Sequence, residues 1–229
     1  PSVEFETKNA RKNVGLFDLT AFSKYDLKGE NVHIDLQKIC TANIKNEIGK
    51  ITYTQMLNED GGIEADLTVA CLDQNHVRII TSAANRERDK FHISKYLSSE
   101  VELEDITERV ACFGIFGPNS RGLMKKLSNE GFSDENFKFG TGKFINIFDS
   151  NTPWGKPKEI KVWVQRLSYV GEIGFELYVD SSSAKDLYEI LIEEGKKFEL
   201  SHCGMHAMDI MRMESGFVHW GHDISPEEN

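Results

Sequence analysis

The feature that most restricts the fold is a three-strand meander in the first half of the chain. Ile51–Leu57 runs into the turn Asn58-Glu59-Asp60-Gly61-Gly62, Ile63–Val69 returns, and His76–Thr81 goes out again after Asp73-Gln74-Asn75. The glycine pair supplies the positive φ that a tight hairpin requires. Along the middle strand Ile63, Ala65, Leu67 and Val69 share one face, and Glu64, Asp66 and Thr68 share the other. Read this way, Asp66 is a solvated strand residue, because a carboxylate in such a strand is disfavoured unless it faces water or has a task.

Strands and helices follow one another in groups rather than in strict alternation, which points to an α+β fold and away from a doubly wound parallel sheet. Before the meander, Val14–Thr20 and Ser23–Gly29 read as strands and Val32–Ile44 as a helix. After it, Asn85–Leu97 is expected to be helical, Val110–Phe116 a strand, and Arg121–Leu127 a helix entered through the turn Gly117-Pro118-Asn119-Ser120. Ile160–Val179 is the richest β segment. Ser181-Ser182-Ser183 is expected to cap a helix with Leu187, Tyr188, Ile190 and Leu191 on its apolar face, and Gly204–Ser215 is the last helix. The chain reads as one domain over 1–229, with two subdomains near 1–105 and 106–229.

Composition excludes several classes. Hydrophobic residues make up 39% and charged residues 28% of the 229, enough for a packed core and unlike a disordered chain. The net charge of -10 argues against a nucleic-acid partner, which calls for a basic face. No apolar run approaches the roughly 20 residues of a membrane helix, and no targeting segment is expected at the start. Cys40, Cys71, Cys112 and Cys203 are scattered and read as buried thiols in a reducing compartment.

Several motifs fail on inspection. Gly140-Thr141-Gly142-Lys143 lacks the Ser or Thr after the lysine and the upstream glycine of a phosphate loop; Phe144 and Phe137 stand there. Gly114-Ile115-Phe116-Gly117 lacks the dinucleotide-binding pattern, and no nucleophile elbow occurs. His202, Cys203, His206, His219 and His222 have metal-like spacing. The preferred reading is a helix start plus unrelated surface histidines, with no metal.

Five stretches, in order, carry a resemblance. They are Val14-Gly15-Leu16-Phe17-Asp18-Leu19, the meander segment Met56 to Val69, Gly114 to Arg121, Arg166 to Leu177 with Tyr169-Val170-Gly171-Glu172 inside it, and Arg212 to Asp223. Together they cover nearly the whole chain and resemble the folate-binding aminomethyltransferase family, that of the glycine-cleavage T-protein. The ending His219-Trp220-Gly221-His222-Asp223-Ile224 is most similar to the folate domains of dimethylglycine and sarcosine dehydrogenases and oxidases.

The resemblance implies an N-terminal T-protein fold with mixed and antiparallel sheets and flanking helices, here without the C-terminal β-barrel domain that follows in the family. It implies tetrahydrofolate as cofactor, an amine-derived one-carbon donor, and 5,10-methylenetetrahydrofolate as product. FAD would belong to a separate or missing domain, and a flavin domain or a lipoyl carrier protein would be the partner. The implied compartment is the cytoplasm in bacteria or the mitochondrial matrix in eukaryotic relatives.

The resemblance also assigns roles. Asp66 matches the family's essential carboxylate, and Tyr53, Tyr169, Glu176 and Arg212 match positions that line or support the folate pocket. Glu176 suits the paired N–H groups of a pterin, since a carboxylate accepts two parallel hydrogen bonds. Ser82 stands where glycine-cleavage enzymes carry an Asn beside the pterin, a departure that shortens the side chain. Without the resemblance the two tyrosines would be half-buried core residues, Glu176 a solvent-facing strand residue, and Arg212 a surface partner of Asp209. Two alternatives stay open: a folate-binding module without catalysis, and folate methyl transfer from another donor such as a sulfonium compound. The K-G-C-Y-x-G-Q-E motif of relatives that act in iron–sulfur assembly is absent.

Overall fold

A computed structural model describes residues 2–148 and 159–225. The chain runs α1 (Val3–Lys12), β1 (Val14–Asp18), β2 (Ser23–Lys28), α2 (Val32–Gln37), β3 (Ile51–Leu57), β4 (Ile63–Asp73), β5 (His76–Thr81), α3 (Arg86–Tyr96) and β6 (Glu102–Asp105). It continues with β7 (Val110–Phe116), α4 (Ser120–Leu127), β8 (Gly142–Phe148), β9 (Glu159–Gln165), β10 (Gly174–Asp180), α5 (Ser181–Gly195), β11 (Leu200–Cys203) and α6 (Met205–Glu214). The α+β class expected from the sequence is the one observed.

Two compact units result, and each is discontinuous in sequence. The first comprises residues 1–20 and 108–217, the second residues 21–107 and 218–229. One crossing falls close to residue 105; the other two, after residues 20 and 217, have no counterpart in a single cut.

The first unit holds a six-stranded sheet in the order β11-β1-β7-β10-β9-β8, antiparallel except where β1 pairs with β11. One face packs Phe113, Ile115, Val162, Val164, Phe175 and Leu177 against Leu123 and Leu127 of α4 and Leu187 and Leu191 of α5. The alternate residues of β9 and β10 turn Trp163, Gln165, Glu176 and Tyr178 to the opposite face, where they too are buried. At the N-terminus Ser2 caps α1, and acidic Glu4 and Glu6 with basic Arg11 and Lys12 sit at the ends that suit the helix dipole. Arg11 then binds α1 to the 170s loop and to α6. It donates to the carbonyls of Val170 and Met211 and pairs with Glu172 at 3.0 Å and Glu214 at 2.9 Å.

In the second unit the order is β3-β4-β5-β2-β6, antiparallel throughout. Its core is Tyr25, Leu27, Leu67, Val69, Val77 and Ile79 with Leu36 of α2 and Ile93 of α3. The alternation read along β4 is present: Ala65, Leu67 and Val69 are buried, and Glu64, Asp66 and Thr68 are half-buried. In the turn, Gly61 takes φ +86° and the Asn58 side chain accepts from the amides of Asp60 and Gly62.

Two element boundaries differ from expectation. The helix expected over Val32–Ile44 stops at Gln37, whose side chain donates to the Ala42 carbonyl at 3.1 Å and accepts from the Ile44 amide at 2.8 Å. Beyond it Cys40 bridges to Met56 and Thr41 bonds to Gln55, so β3 takes up backbone groups a longer helix would have used. For α5 the cap is Asp180, which accepts from the Ser182 amide at 2.9 Å; the serines form the first turn. α1 carries too little apolar surface to be read as a core helix, yet Thr7 and Ala10 are buried in it.

Candidate functional site

Two groups of side chains carry the chemistry, one in each unit. In the second unit, register places Gln55 of β3 opposite Asp66 of β4 and Tyr53 opposite Thr68, so Tyr53 lies diagonally across from Asp66. Gln55 donates from Nε2 to Asp66 Oδ1 at 2.9 Å, and the Tyr53 hydroxyl also bonds to the carboxylate. Burial raises the proton affinity of Asp66 above the usual carboxylate range; those bonds and nearby His219 work in the other direction. Tyr53 itself is 58% exposed, so it lends its hydroxyl to Asp66 and keeps a ring face open.

Ser82 does other work. Its hydroxyl accepts from the Ala84 amide at 3.3 Å and its carbonyl accepts from Ser23, so it caps the short turn before α3. No bond joins it to Asp66.

In the first unit Glu176 is only 7% exposed. Tyr178 donates to its Oε2 at 2.6 Å and Gln165 donates at 3.3 Å, while Trp163 Nε1 donates to Gln165 Oε1 at 3.2 Å. Burial pushes Glu176 up to about 7 despite these bonds. The solvent-facing alternative for Glu176 is thereby excluded. Arg212 is 2% exposed; its Nε donates to Asp209 Oδ1 at 2.8 Å and NH1 donates to the Phe217 carbonyl at 3.0 Å. The pairing with Asp209 is as the i,i+3 spacing suggests, but the arginine is buried. Its bond to Phe217 holds that ring where it stacks on Tyr169, with centroids 5.9 Å apart and planes at 16°.

Gln55, Gln165 and Tyr178 were not picked out from the sequence. The signal that finds them is strand register, since each is the cross-strand or same-strand neighbour of a carboxylate. Among the described residues no three His, Cys, Asp or Glu side chains gather as a metal site. His202 instead bonds through Nε2 to the Tyr188 hydroxyl at 2.7 Å. All four cysteines are free and buried, and none of the described helices is long and apolar enough to cross a membrane.

The order of motifs, the two sheets and the buried carboxylates can be set against known proteins. The GCVT N-terminal domain family matches residues 1–229. The chain belongs to that family. It is 33% identical over 222 residues to a 4-methylaminobutanoate oxidase (formaldehyde-forming) of Paenarthrobacter nicotinovorans, an alignment covering 96% of this chain and 26% of the relative. It is 31% identical to an aminomethyltransferase of Halothermothrix orenii, covering 97% of this chain and 59% of that protein. The chain thus spans about a quarter of the one relative and about three fifths of the other. The solved glycine cleavage system aminomethyltransferase T of Bartonella henselae superposes with a TM-score of 0.81, covering 99% of this chain and 57% of that one. At 23% identity that likeness concerns the fold.

Proposed function

We propose that this chain is the folate-binding part of a protein that transfers a one-carbon unit from an oxidised methylamine to tetrahydrofolate. The observation that carries the proposal is Asp66, a half-buried carboxylate with raised proton affinity held by Gln55 and Tyr53; the resemblance matches it to the family's essential acid. The Paenarthrobacter relative is named for oxidising an N-methyl amine and forming formaldehyde. This supports a carbon donor derived from an N-methyl group such as that of dimethylglycine or sarcosine, with oxidation by a flavin domain or partner. A glycine-derived aminomethyl group on a lipoyl carrier is the counterpart suggested by the aminomethyltransferase relatives.

The residues present fit a reduced pterin. Glu176 is a buried carboxylate whose identified hydrogen-bond donors, Tyr178 and Gln165, are neutral. Paired N–H groups are what such a group needs to become ionised in a buried place. Tyr169 stacked on Phe217, fixed by Arg212, gives a flat apolar surface of the kind that takes an aromatic ring. When bound, tetrahydrofolate supplies two nucleophilic nitrogens that capture the carbon.

Asp66 does the work of a charged acid–base. Ionised, it favours positive charge developing near it; with its raised affinity, it takes a proton released during capture. The bond from Gln55 to Oδ1 and the bond from the Tyr53 hydroxyl keep the carboxylate oriented. Ser82 is assigned a pocket position by resemblance only, and its own bonds cap the short turn before α3. The four buried free cysteines suit a reducing compartment, the bacterial cytoplasm or the mitochondrial matrix.

The test uses the protein that carries this chain together with its amine-oxidising partner. Asp66→Asn keeps shape and loses charge and basicity. Amine oxidation should continue and folate binding should persist, while methylenetetrahydrofolate formed per amine oxidised falls by roughly 10²–10⁴-fold and free formaldehyde accumulates. An unchanged yield returns Asp66 to the status of a strand residue facing water and leaves a folate-binding module without catalysis as the reading.

A further inference from the structure

One cavity of the first unit lies away from the residues placed in folate capture. It opens at the C-terminal end of β1, between the sheet and the first turns of α5, and holds about 340 Å³. Leu16, Phe113 and Ala184 give it apolar walls, Tyr188 and His202 add two more rings, and Asp18 adds a carboxylate. Leu16 and Phe113 belong to the sheet face that packs against α5, whereas Glu176 turns to the opposite face.

Strand register builds the floor. Asp18 of β1 stands opposite Phe113 of β7, and Leu16 opposite His202 of β11. From α5 the Tyr188 ring reaches both neighbours, its centroid 6.1 Å from that of Phe113 and 5.8 Å from that of His202. A bond of 2.7 Å between the Tyr188 hydroxyl and His202 Nε2 ties the helix to the edge strand. Ala184, one turn before Tyr188, leaves space that a longer side chain would fill. Asp18 is exposed; its Oδ1 accepts from the Thr20 amide at 3.0 Å, and among the described residues no cation pairs with it. Lys185, the other charged residue of the wall, stands 3.7 Å from Glu189 in an exposed pair along α5.

We propose that this cavity binds a small organic cation, an alkylammonium group seated among the Phe113, Tyr188 and His202 rings with its charge toward Asp18. Aromatic rings attract a positive charge that lies over their faces within about 6 Å, and more strongly where water is excluded. The apolar walls take up the alkyl groups of such an ion, a gain that a bare metal ion does not have. A neutral guest of the same shape gains from the walls and nothing from the carboxylate, and an anion is repelled by it. The cavity uses none of the groups assigned to folate, so the inference stands apart from the one-carbon reading.

Two probes test it on the 229-residue chain: choline, and its uncharged isostere with carbon in place of the ammonium nitrogen. Binding is followed by calorimetry and by NMR of the Tyr188 and His202 rings. Choline should bind in the millimolar range and shift both ring signals, and the isostere should bind roughly tenfold more weakly. Asp18→Asn should weaken choline by a similar factor and leave the isostere unchanged. Ala184→Leu, which fills the space, should abolish binding of both probes with the urea midpoint kept. Absence of choline binding, or equal binding of choline and isostere by the parent, overturns the cation site. Full choline binding by a folded Ala184→Leu, or ring signals that stay still while choline binds the parent, puts the ion elsewhere and overturns it too. The ring signals need only the parent chain, so they decide the matter if Ala184→Leu fails to fold.

Discussion

Glu176 shows how much a single buried carboxylate can set. Its affinity for a proton, pushed up to about 7, means the ligand-free chain holds it largely protonated in mildly acidic solution. In the proposed folate pocket Glu176 must be ionised to accept from a pterin edge. Folate binding should therefore weaken as pH falls below about 7, and binding near neutrality should release a proton. Calorimetry in two buffers of different ionisation enthalpy measures that release directly. Glu176→Gln should bind folate more weakly and show neither proton release nor a pH slope. Equal release by parent and variant would mean another group titrates. The resemblance pointed to Glu176 as a pterin contact, but its burial was not visible in the sequence, where it alternates with Phe175 and Leu177 like any outward residue. Alternation says which face a side chain takes; it does not say whether that face is covered. The same gap explains Arg212, whose i,i+3 partner was legible and whose burial was not.

At the scale of elements, the 170s loop is held by fit at one glycine. Gly171 takes φ +73°, and a Cβ there would stand 2.0 Å from Ser215 Oγ at the end of α6. Gly171→Ala should destabilise the chain by about 2–4 kcal/mol, from a left-handed backbone plus a contact that forces α6 and the loop apart. Gly61→Ala is the control: φ is +86° but nothing lies within 4 Å of the added carbon. It should cost only about 1–2 kcal/mol. Urea midpoints of the two variants decide it, and equal losses would mean the Ser215 contact relaxes freely. Much of the element map could be read in advance. The meander could, because hairpin turns and period-two alternation are local. α1 could not, because two small buried residues on a charged helix leave no apolar stripe. The parallel pairing of β1 with β11 had no signal either, since Val14 and Leu200 are related only through the finished sheet.

For the whole molecule, the buried acids pull stability in opposite directions along the pH scale. Burial raises Glu176 to about 7 and Asp89 to about 6. Burial also acts on Asp26 and Asp105, but there it is overcome: bonds from His76 and Arg78 bring Asp26 to about 2, and bonds from Arg86 and Thr107 bring Asp105 to about 2. A raised carboxyl favours the fold at low pH; that benefit starts to fade as pH passes the unfolded value near 4 and is gone once pH exceeds the folded value, and for Glu176 it is on the order of 3 kcal/mol. A lowered carboxyl favours the fold above about 4, and that benefit is lost as pH falls toward 2. The ligand-free chain should be most resistant to urea near pH 4, weaker by pH 6 and weakest above about pH 7. A midpoint that rises steadily to pH 8 would mean Glu176 and Asp89 are ionised in the fold at no cost.

β1 and β7 are antiparallel neighbours in one sheet, yet residues 21–107 lie between the units' boundaries where a hairpin turn would suffice. On a ribosome the five strands of the second sheet all emerge while β1 still lacks both of its partners. Within the inserted sheet β3, β4 and β5 can close by short-range hairpins and β2 joins once β5 and β6 have followed, whereas β1 must wait for β7 and then for β11. β1 is thus made before the other strands of both sheets and secured only after β7 and β11 have followed. Between the synthesis of β1 and that of β11 the nascent chain carries an open strand edge, which is the period when a chaperone has something to hold.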